Sequence, residues 1–162
     1  MPAARAQVYE YRTVFRAPPA FVFRWCTDYR SDDHRLSGDG GERRILQRSA
    51  RRVVYEDLES TRDGWSWSRW TVTLHPPRSW HGRATGNYRN WEIDYRLKAL
   101  PDGRTAFHLR GVREPRVLGS KNPSQASMRA DLGQQWSRYR RSLEADYRRS
   151  QRGRGGPRSR RR

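Results

Sequence analysis

The sequence predicts an α+β fold in which an antiparallel sheet of about six or seven strands is covered by one long C-terminal helix. The prediction rests on two patterns of apolar side chains. From residue 43 to residue 112, apolar and polar side chains alternate in short runs, which is the period of a strand. From residue 122 to residue 150, apolar side chains recur at steps of three and four, which is the period of a helix. Short turns join the runs of period two, so neighbouring strands are antiparallel. The apolar face of such a sheet needs a covering layer, and the helix supplies it.

The chain begins with a predicted strand followed by one or two short helices. Residues 8 to 16 alternate as a strand does, and Pro18 and Pro19 end that run. Proline suits the first turn of a helix, so residues 20 to 27 are predicted as a short helix. A second short helix is predicted within residues 28 to 36, before a glycine-rich turn.

Six further strands are predicted as a meander. They cover residues 43–48, 52–59, 65–75, 79–85, 88 or 90 to 100, and 105–112. The dipeptides Asp63-Gly64 and Gly86-Asn87 are turn signals, and Pro101-Asp102-Gly103 predicts a tight hairpin.

The strand over residues 65–75 changes phase along its length. Trp65 and Trp67 share one face, whereas Trp70 and the apolar residues after it share the other. We expect either a β-bulge near Ser68-Arg69 or a sheet covered on both faces at this point.

The helix over residues 122–150 has a start signal and one apolar stripe. Asn122 can cap the helix, Pro123 suits its first turn, and Gln125 can reach back as in a capping box. The stripe consists of Met128, Leu132, Trp136, Tyr139, Leu143 and Tyr147.

Composition fits one domain over residues 7–150 and a disordered arginine- and glycine-rich tail over residues 151–162. Only 33% of residues are hydrophobic, but seven tryptophans can build a core from few side chains. Cys26 is the single cysteine, so no disulfide can form within the chain, which fits a cytoplasmic setting. No segment has the pattern of a signal peptide or of a membrane-spanning helix.

The net charge of +18 comes almost entirely from arginine, with Lys98 and Lys121 the only lysines. Eight arginines and no acid fall in residues 148–162, and the remaining excess is spread along every element. The tail can make weak, salt-sensitive contacts with nucleic acid or an anionic surface, or it has no function beyond solubility. A solvated surface explains the rest of the charge.

The chain resembles the helix-grip superfamily of START-like (SRPBCC) proteins, which includes polyketide cyclase/dehydrase-like proteins. The element order, the opening "VFRAPPAFVFRWCTDY" and the hairpin at "LPDGRTAF" carry the resemblance. It covers about residues 7 to 150. The resemblance implies a curved antiparallel sheet wrapped around the C-terminal helix, with a cavity between them for an apolar or amphipathic molecule.

Candidate ligand-binding residues follow from which side chains would face that cavity. They are Trp65, Trp67, Arg69, Trp91, Tyr95, Phe107, Met128, Leu132, Trp136 and Tyr139, with Gln135 and Tyr55 as further candidates. The same spacings are typical of a packed core. Seven tryptophans could also fill the cavity completely.

No set of residues predicts a catalytic dyad, a metal site or a bound cofactor. The four histidines lack metal-ligand spacing, and Cys26 is predicted as a buried structural thiol. The acidic cluster Asp28, Asp32 and Asp33 is predicted to pair with Arg30 and Arg35 rather than to bind a cation. Glu56, Glu92, Asp94 and His108 could act as acid or base only if they point inward.

Three functions are compatible with these patterns. The first is a carrier or sensor that binds a small apolar or amphipathic molecule. The second is an enzyme like the cyclases/dehydrases of the superfamily. The third is a nucleic-acid-associated basic protein.

Overall fold

A computed structural model describes residues 6–37, 40–61, 64–116 and 123–154. The helices are α1 (Pro19–Thr27), α2 (His34–Ser37) and α3 (Gln125–Arg154). The strands are β1 (Gln7–Phe15), β2 (Gly41–Arg48), β3 (Arg52–Thr61), β4 (Gly64–His75), β5 (Ser79–Gly86), β6 (Arg89–Ala99) and β7 (Thr105–Pro115).

The seven strands form one antiparallel sheet in the order β1-β7-β6-β5-β4-β3-β2. Strands β2 to β7 are the predicted meander, and β1 pairs with β7 although the two are far apart in sequence. The sheet curves, and α3 lies along its concave face. The predicted fold is therefore confirmed.

The core lies where α3 meets the sheet. Leu143 is fully buried, and the ring of Trp136 packs on Phe107 with 4.4 Å between ring centroids. Polar contacts fix the C-terminal half of the helix: Trp25 Nε1 of α1 donates a 2.8 Å hydrogen bond to Asp146, and the backbone N–H of Arg16 donates to Glu144. No described helix is both long and apolar enough to cross a membrane.

Both explanations offered for the phase change in β4 are wrong. The β3–β4 register runs without a break from Gly64 to Thr73, and the outer face is open at Trp65, which is 58% exposed. The inner positions Ser66 and Ser68 are polar because they line a cavity, so the tryptophans beside them point outward. A register shift does occur in the sheet, but on β2 between Ile45 and Gln47.

The boundaries of α3 differ from the prediction at both ends. The hydroxyl of Ser124 accepts a hydrogen bond from the backbone N–H of Ser127, which makes Ser124 the cap, while Asn122 lies outside the described residues. Gln125 donates to the backbone oxygen of Val8 on β1, an inter-element contact that the predicted capping box did not include. Residues 151–154 of the predicted tail are helical, and the rest of the tail lies outside the described residues.

Candidate ligand cavity

A cavity of about 380 Å³ lies between the concave face of the sheet and α3. That volume is within the range of small-molecule sites. Residues from β1 and from β3 to β7 form its floor, α3 forms its roof, and α1 with the segment after it closes one end.

One row of cross-strand partners builds an aromatic wall. Arg113, Trp91, Ala84, Trp70 and Tyr55 follow one another across β7, β6, β5, β4 and β3. The small Ala84 lets the tryptophan rings on either side approach to 5.9 Å between centroids, at an interplanar angle of 27°. Tyr55 stacks on Trp70 at 6.2 Å and 12°. The wall therefore offers broad, nearly parallel ring surfaces.

The next row gives the cavity its depth. It runs Tyr9, Gly111, Ile93, Gly82 and Val72 across β1, β7, β6, β5 and β4. A Cβ atom on Gly111 would lie 2.3 Å from the ring of Tyr9, so the ring occupies the space that a side chain there would need. A Cβ on Gly82 would meet the ring of Trp70 at 3.3 Å.

The roof comes from one face of α3. Five residues on one face of the helix line the cavity, and they follow one another at steps of four, three, one and three: Met128, Leu132, Gln135, Trp136 and Tyr139. Gln135 Nε2 lies 3.2 Å from the hydroxyl oxygen of Tyr139, to which it donates a hydrogen bond. The roof is thus mainly apolar, with one amide and one phenol.

A buried ion cluster closes one end. Arg43 donates hydrogen bonds of 2.7 and 2.9 Å to the two carboxylate oxygens of Asp57 and one of 2.6 Å to Asp33. Its guanidinium also lies over the ring of Tyr55, 4.4 Å from the centroid. Burial by itself lowers the pKa of Arg43, but the hydrogen bonds to Asp57 and the nearby carboxylates outweigh it, so the pKa is raised. The charge of Arg43 is fully balanced.

A second arginine, Arg113, lies at the other end and is 8% exposed. Its Nε and Nη2 donate hydrogen bonds of 2.8 and 2.6 Å to the side-chain oxygen of Gln7. The amide nitrogen of Gln7 in turn donates to the backbone oxygen of Pro123. Burial and the positive charge of Arg89 lower the pKa of Arg113 to about 10, which leaves it charged at neutral pH.

Burial keeps four tyrosines of the cavity and the Cys26 thiol neutral. Burial raises the pKa of Tyr29, Tyr55 and Tyr95, and it raises the pKa of Tyr9 to about 12. Burial also raises the pKa of the Cys26 thiol, which lines the cavity at the end formed by α1. At neutral pH these groups are hydrogen-bond donors rather than bases or nucleophiles.

Most of the candidate residues are brought together by the fold. Trp91, Tyr95, Met128, Leu132, Trp136 and Tyr139 line the cavity, as do Gln135 and Tyr55. Phe107 faces the correct side of the sheet, but it is 1% exposed and packs beneath Trp136, so it belongs to the core.

The other three candidates do not face the cavity. Trp65, Trp67 and Arg69 lie on the outer face of β4, where Arg69 pairs with Glu56 at 2.6 Å. The prediction for Trp65 and Trp67 assumes that tryptophan marks the apolar face, and Arg69 is predicted only from its place between Trp67 and Trp70. That inference fails here, because the inner positions of this stretch are serines at the polar end of the cavity.

The four candidate acid/base residues also lie outside the cavity. Glu56 pairs with Arg69, Glu92 with Arg83 at 3.2 Å, Asp94 with His81 at 2.8 Å, and His108 with Glu10 at 3.5 Å. Each pair joins neighbouring strands on the outer face.

Sequence reasoning missed the two buried arginines, although strand parity held a signal for both. Asp57, the partner of Arg43, continues the inward parity of Val53 and Tyr55. Arg113 continues the inward parity of Leu109 and Gly111. The predicted strand ended at residue 112 and so did not include it.

The acidic cluster pairs with Arg30 as predicted, but among the described residues it forms no ion pair with Arg35. Arg30 contacts Asp28, Asp32 and Asp33 at 3.3, 3.8 and 3.7 Å, and Asp33 also binds Arg43. Within the described ranges, no group of three or more His, Cys, Asp or Glu side chains is placed to hold a metal ion.

This chain is similar to known proteins in structure and not in sequence. No protein-family model matches the sequence, and no curated protein matches it. Among solved structures, the Zhui aromatase/cyclase from Streptomyces sp. R1128 is 15% identical, with a TM-score of 0.70 over 94% of this chain and 100% of that one. TTHA0849 from Thermus thermophilus is 12% identical, with a TM-score of 0.70 over 86% and 99%. A START superfamily protein from Mycobacterium smegmatis is 11% identical, with a TM-score of 0.63 over 88% and 97%.

At such low identity the likeness defines architecture and leaves the ligand open. The shared architecture is the seven-stranded antiparallel sheet with the long final helix. This chain has the helix-grip fold, which it shares with the Zhui aromatase/cyclase and with the START superfamily protein.

Proposed function

We propose that this protein binds a small, flat, apolar or amphipathic molecule in the cavity between the sheet and α3, as a carrier or sensor. The supporting observation is the wall formed by Tyr55, Trp70 and Trp91, whose rings lie within 12° to 27° of parallel along the cavity. A flat ring system can stack on such a wall. Stacked aromatic pairs contribute binding free energy beyond that of the apolar area they bury.

The ion cluster around Arg43 and the phenols of the cavity favour binding over catalysis. A cyclase or dehydrase needs a group that takes or gives a proton at the substrate. The carboxylates of Asp33 and Asp57 are engaged by Arg43, and the buried phenols stay protonated at neutral pH. These groups can orient a ligand by hydrogen bonding, and none of them is poised as a base.

The proposal is tested by titration with N-phenyl-1-naphthylamine, a neutral dye whose fluorescence rises in apolar surroundings. We expect saturable binding of one dye per protein. Leu132→Trp places an indole in the cavity from the roof, so its dye affinity should fall roughly tenfold or more.

The matched control is Ala130→Trp, which adds the same ring to an exposed position of the same helix. It should bind the dye as the unaltered protein does. Equal dye affinity for both variants, with circular dichroism showing both folded, would refute binding in this cavity.

A further inference from the structure

We propose that Arg113 anchors an acidic group of the ligand, so that the cavity selects a ring system carrying a carboxylate or a similar oxyanion. The inference rests on the proposed function and specifies the ligand class for the same site.

The first argument is the partner that Arg113 has. A guanidinium offers five N–H donors. Those of Arg113 make two hydrogen bonds, both to the neutral amide oxygen of Gln7. No carboxylate within the described part of the chain lies within 4.0 Å of it. Gln7 is held in turn by Pro123, so the arginine is positioned by an amide that leaves its charge uncompensated.

The second argument is the contrast with Arg43. Both arginines line the same cavity and both are largely buried. Arg43 is bound by two carboxylates, Asp57 and Asp33, and has no charge left to offer. Arg113 lacks such partners. A buried cation without a counter-ion is costly, and an anionic ligand would remove that cost.

The third argument is the surroundings of Arg113. Trp91 is its cross-strand neighbour and the first ring of the aromatic wall, so a ligand can stack there while its acidic group meets the guanidinium. The positive charge of Arg89 acts on the same site. Asp131 on α3 acts in the opposite direction, but it is exposed and beyond ion-pair distance.

The test compares two dyes with one ring skeleton. 8-Anilinonaphthalene-1-sulfonate carries a sulfonate, and N-phenyl-1-naphthylamine lacks it. We expect the unaltered protein to bind the sulfonate more tightly, because charge-assisted hydrogen bonds are the strong ones. Arg113→Gln should lower affinity for the sulfonate about tenfold or more and leave affinity for the neutral dye within about twofold.

A second variant keeps the arginine and changes its partner. Gln7→Glu places a carboxylate against Arg113, which should abolish the preference for the sulfonate just as Arg113→Gln does. Gln7→Glu also tests the role of Arg113 as an anchor if Arg113→Gln does not fold. The matched control is Arg110→Gln, which removes one positive charge from the same strand on the exposed outer face and should keep the preference.

The outcomes separate the two proposals. Loss of the preference in Arg113→Gln and Gln7→Glu, with the preference kept in Arg110→Gln, supports the anchor. If the neutral dye binds but the sulfonate is not preferred, or if the preference survives both variants, the anchor is overturned while the proposed function stands. If neither dye binds the unaltered protein, the proposed function itself fails.

Discussion

Single glycines on the concave face determine how close the rings of the cavity can lie to the sheet. Gly111 and Gly82 lie in the same cross-strand row, but only Gly111 is covered directly, by the ring of Tyr9. The space above Gly82 is tight but still close to ordinary contact with Trp70. The two positions should therefore respond differently to the same added methyl group.

We expect Gly111→Ala to destabilise the protein by about 1–3 kcal/mol, because the Tyr9 ring must move out of a packed position. Gly82→Ala should lower the free energy of unfolding by less than about 1 kcal/mol. Urea unfolding of both variants measures the difference. Adding Tyr9→Ala to Gly111→Ala should cost less than the sum of the two single changes, and strict additivity would show that the ring is not the obstacle.

The ion cluster around Arg43 makes a second prediction about stability. Asp57→Asn removes a carboxylate that is 6% exposed and accepts two hydrogen bonds from Arg43, while Asp33 stays as the remaining carboxylate partner. Weakening buried hydrogen bonds to a charged group in this way costs about 1–3 kcal/mol. Urea unfolding should show a loss in that range.

The control for this change is Glu92→Gln on the outer face. It breaks a pair whose side chains are 71% and 49% exposed, and such pairs contribute about 1 kcal/mol or less. Similar losses for the two variants would mean that the Arg43 cluster is no more important to stability than a surface pair.

The apolar stripe of α3 stabilises the fold with its C-terminal half and lines the cavity with its N-terminal half. Its C-terminal half is anchored by Leu143 in the core and by hydrogen bonds from Trp25 and Arg16. Its N-terminal half roofs the cavity with Met128 and Leu132. Side chains of one stripe should therefore differ in what they contribute to folding and to binding.

Leu143→Ala should destabilise the protein by about 2–5 kcal/mol, because it opens a void in a fully packed site. Leu132→Ala should cost distinctly less, because Leu132 is half-buried and already borders empty space. Thermal unfolding of both variants provides the comparison. Equal losses would contradict the division of the helix into two halves.

The sequence was sufficient to predict the apolar stripe on α3, because each of its members from Met128 to Tyr139 lies on the cavity side. It was not sufficient to predict which side chains of the strands face the cavity. Periodicity locates the inner face only where that face is apolar, and at Ser66 and Ser68 it is polar. For the same reason a buried arginine such as Arg113 does not differ from a surface arginine in a chain that has 35 cations.

At the level of the whole molecule, the fold is a single sheet with one face covered by α3. The order of the elements and the tight turns were sufficient to predict it. The pairing of β1 with β7 and the row that joins Arg113 to Tyr55 depend on register across five strands. No local pattern in the sequence specifies such a register, so the cavity and its two charged ends could not be predicted in detail.

The crystal structure of the protein with N-phenyl-1-naphthylamine bound would test the central claim most directly. We expect the naphthalene ring between the wall at Trp91 and the roof at Leu132. The rival position is the outer face, where Trp65 is 58% exposed and Trp67 lies beside it on the same strand. Dye on those outer tryptophans, with the cavity between sheet and helix empty, would contradict the proposed function.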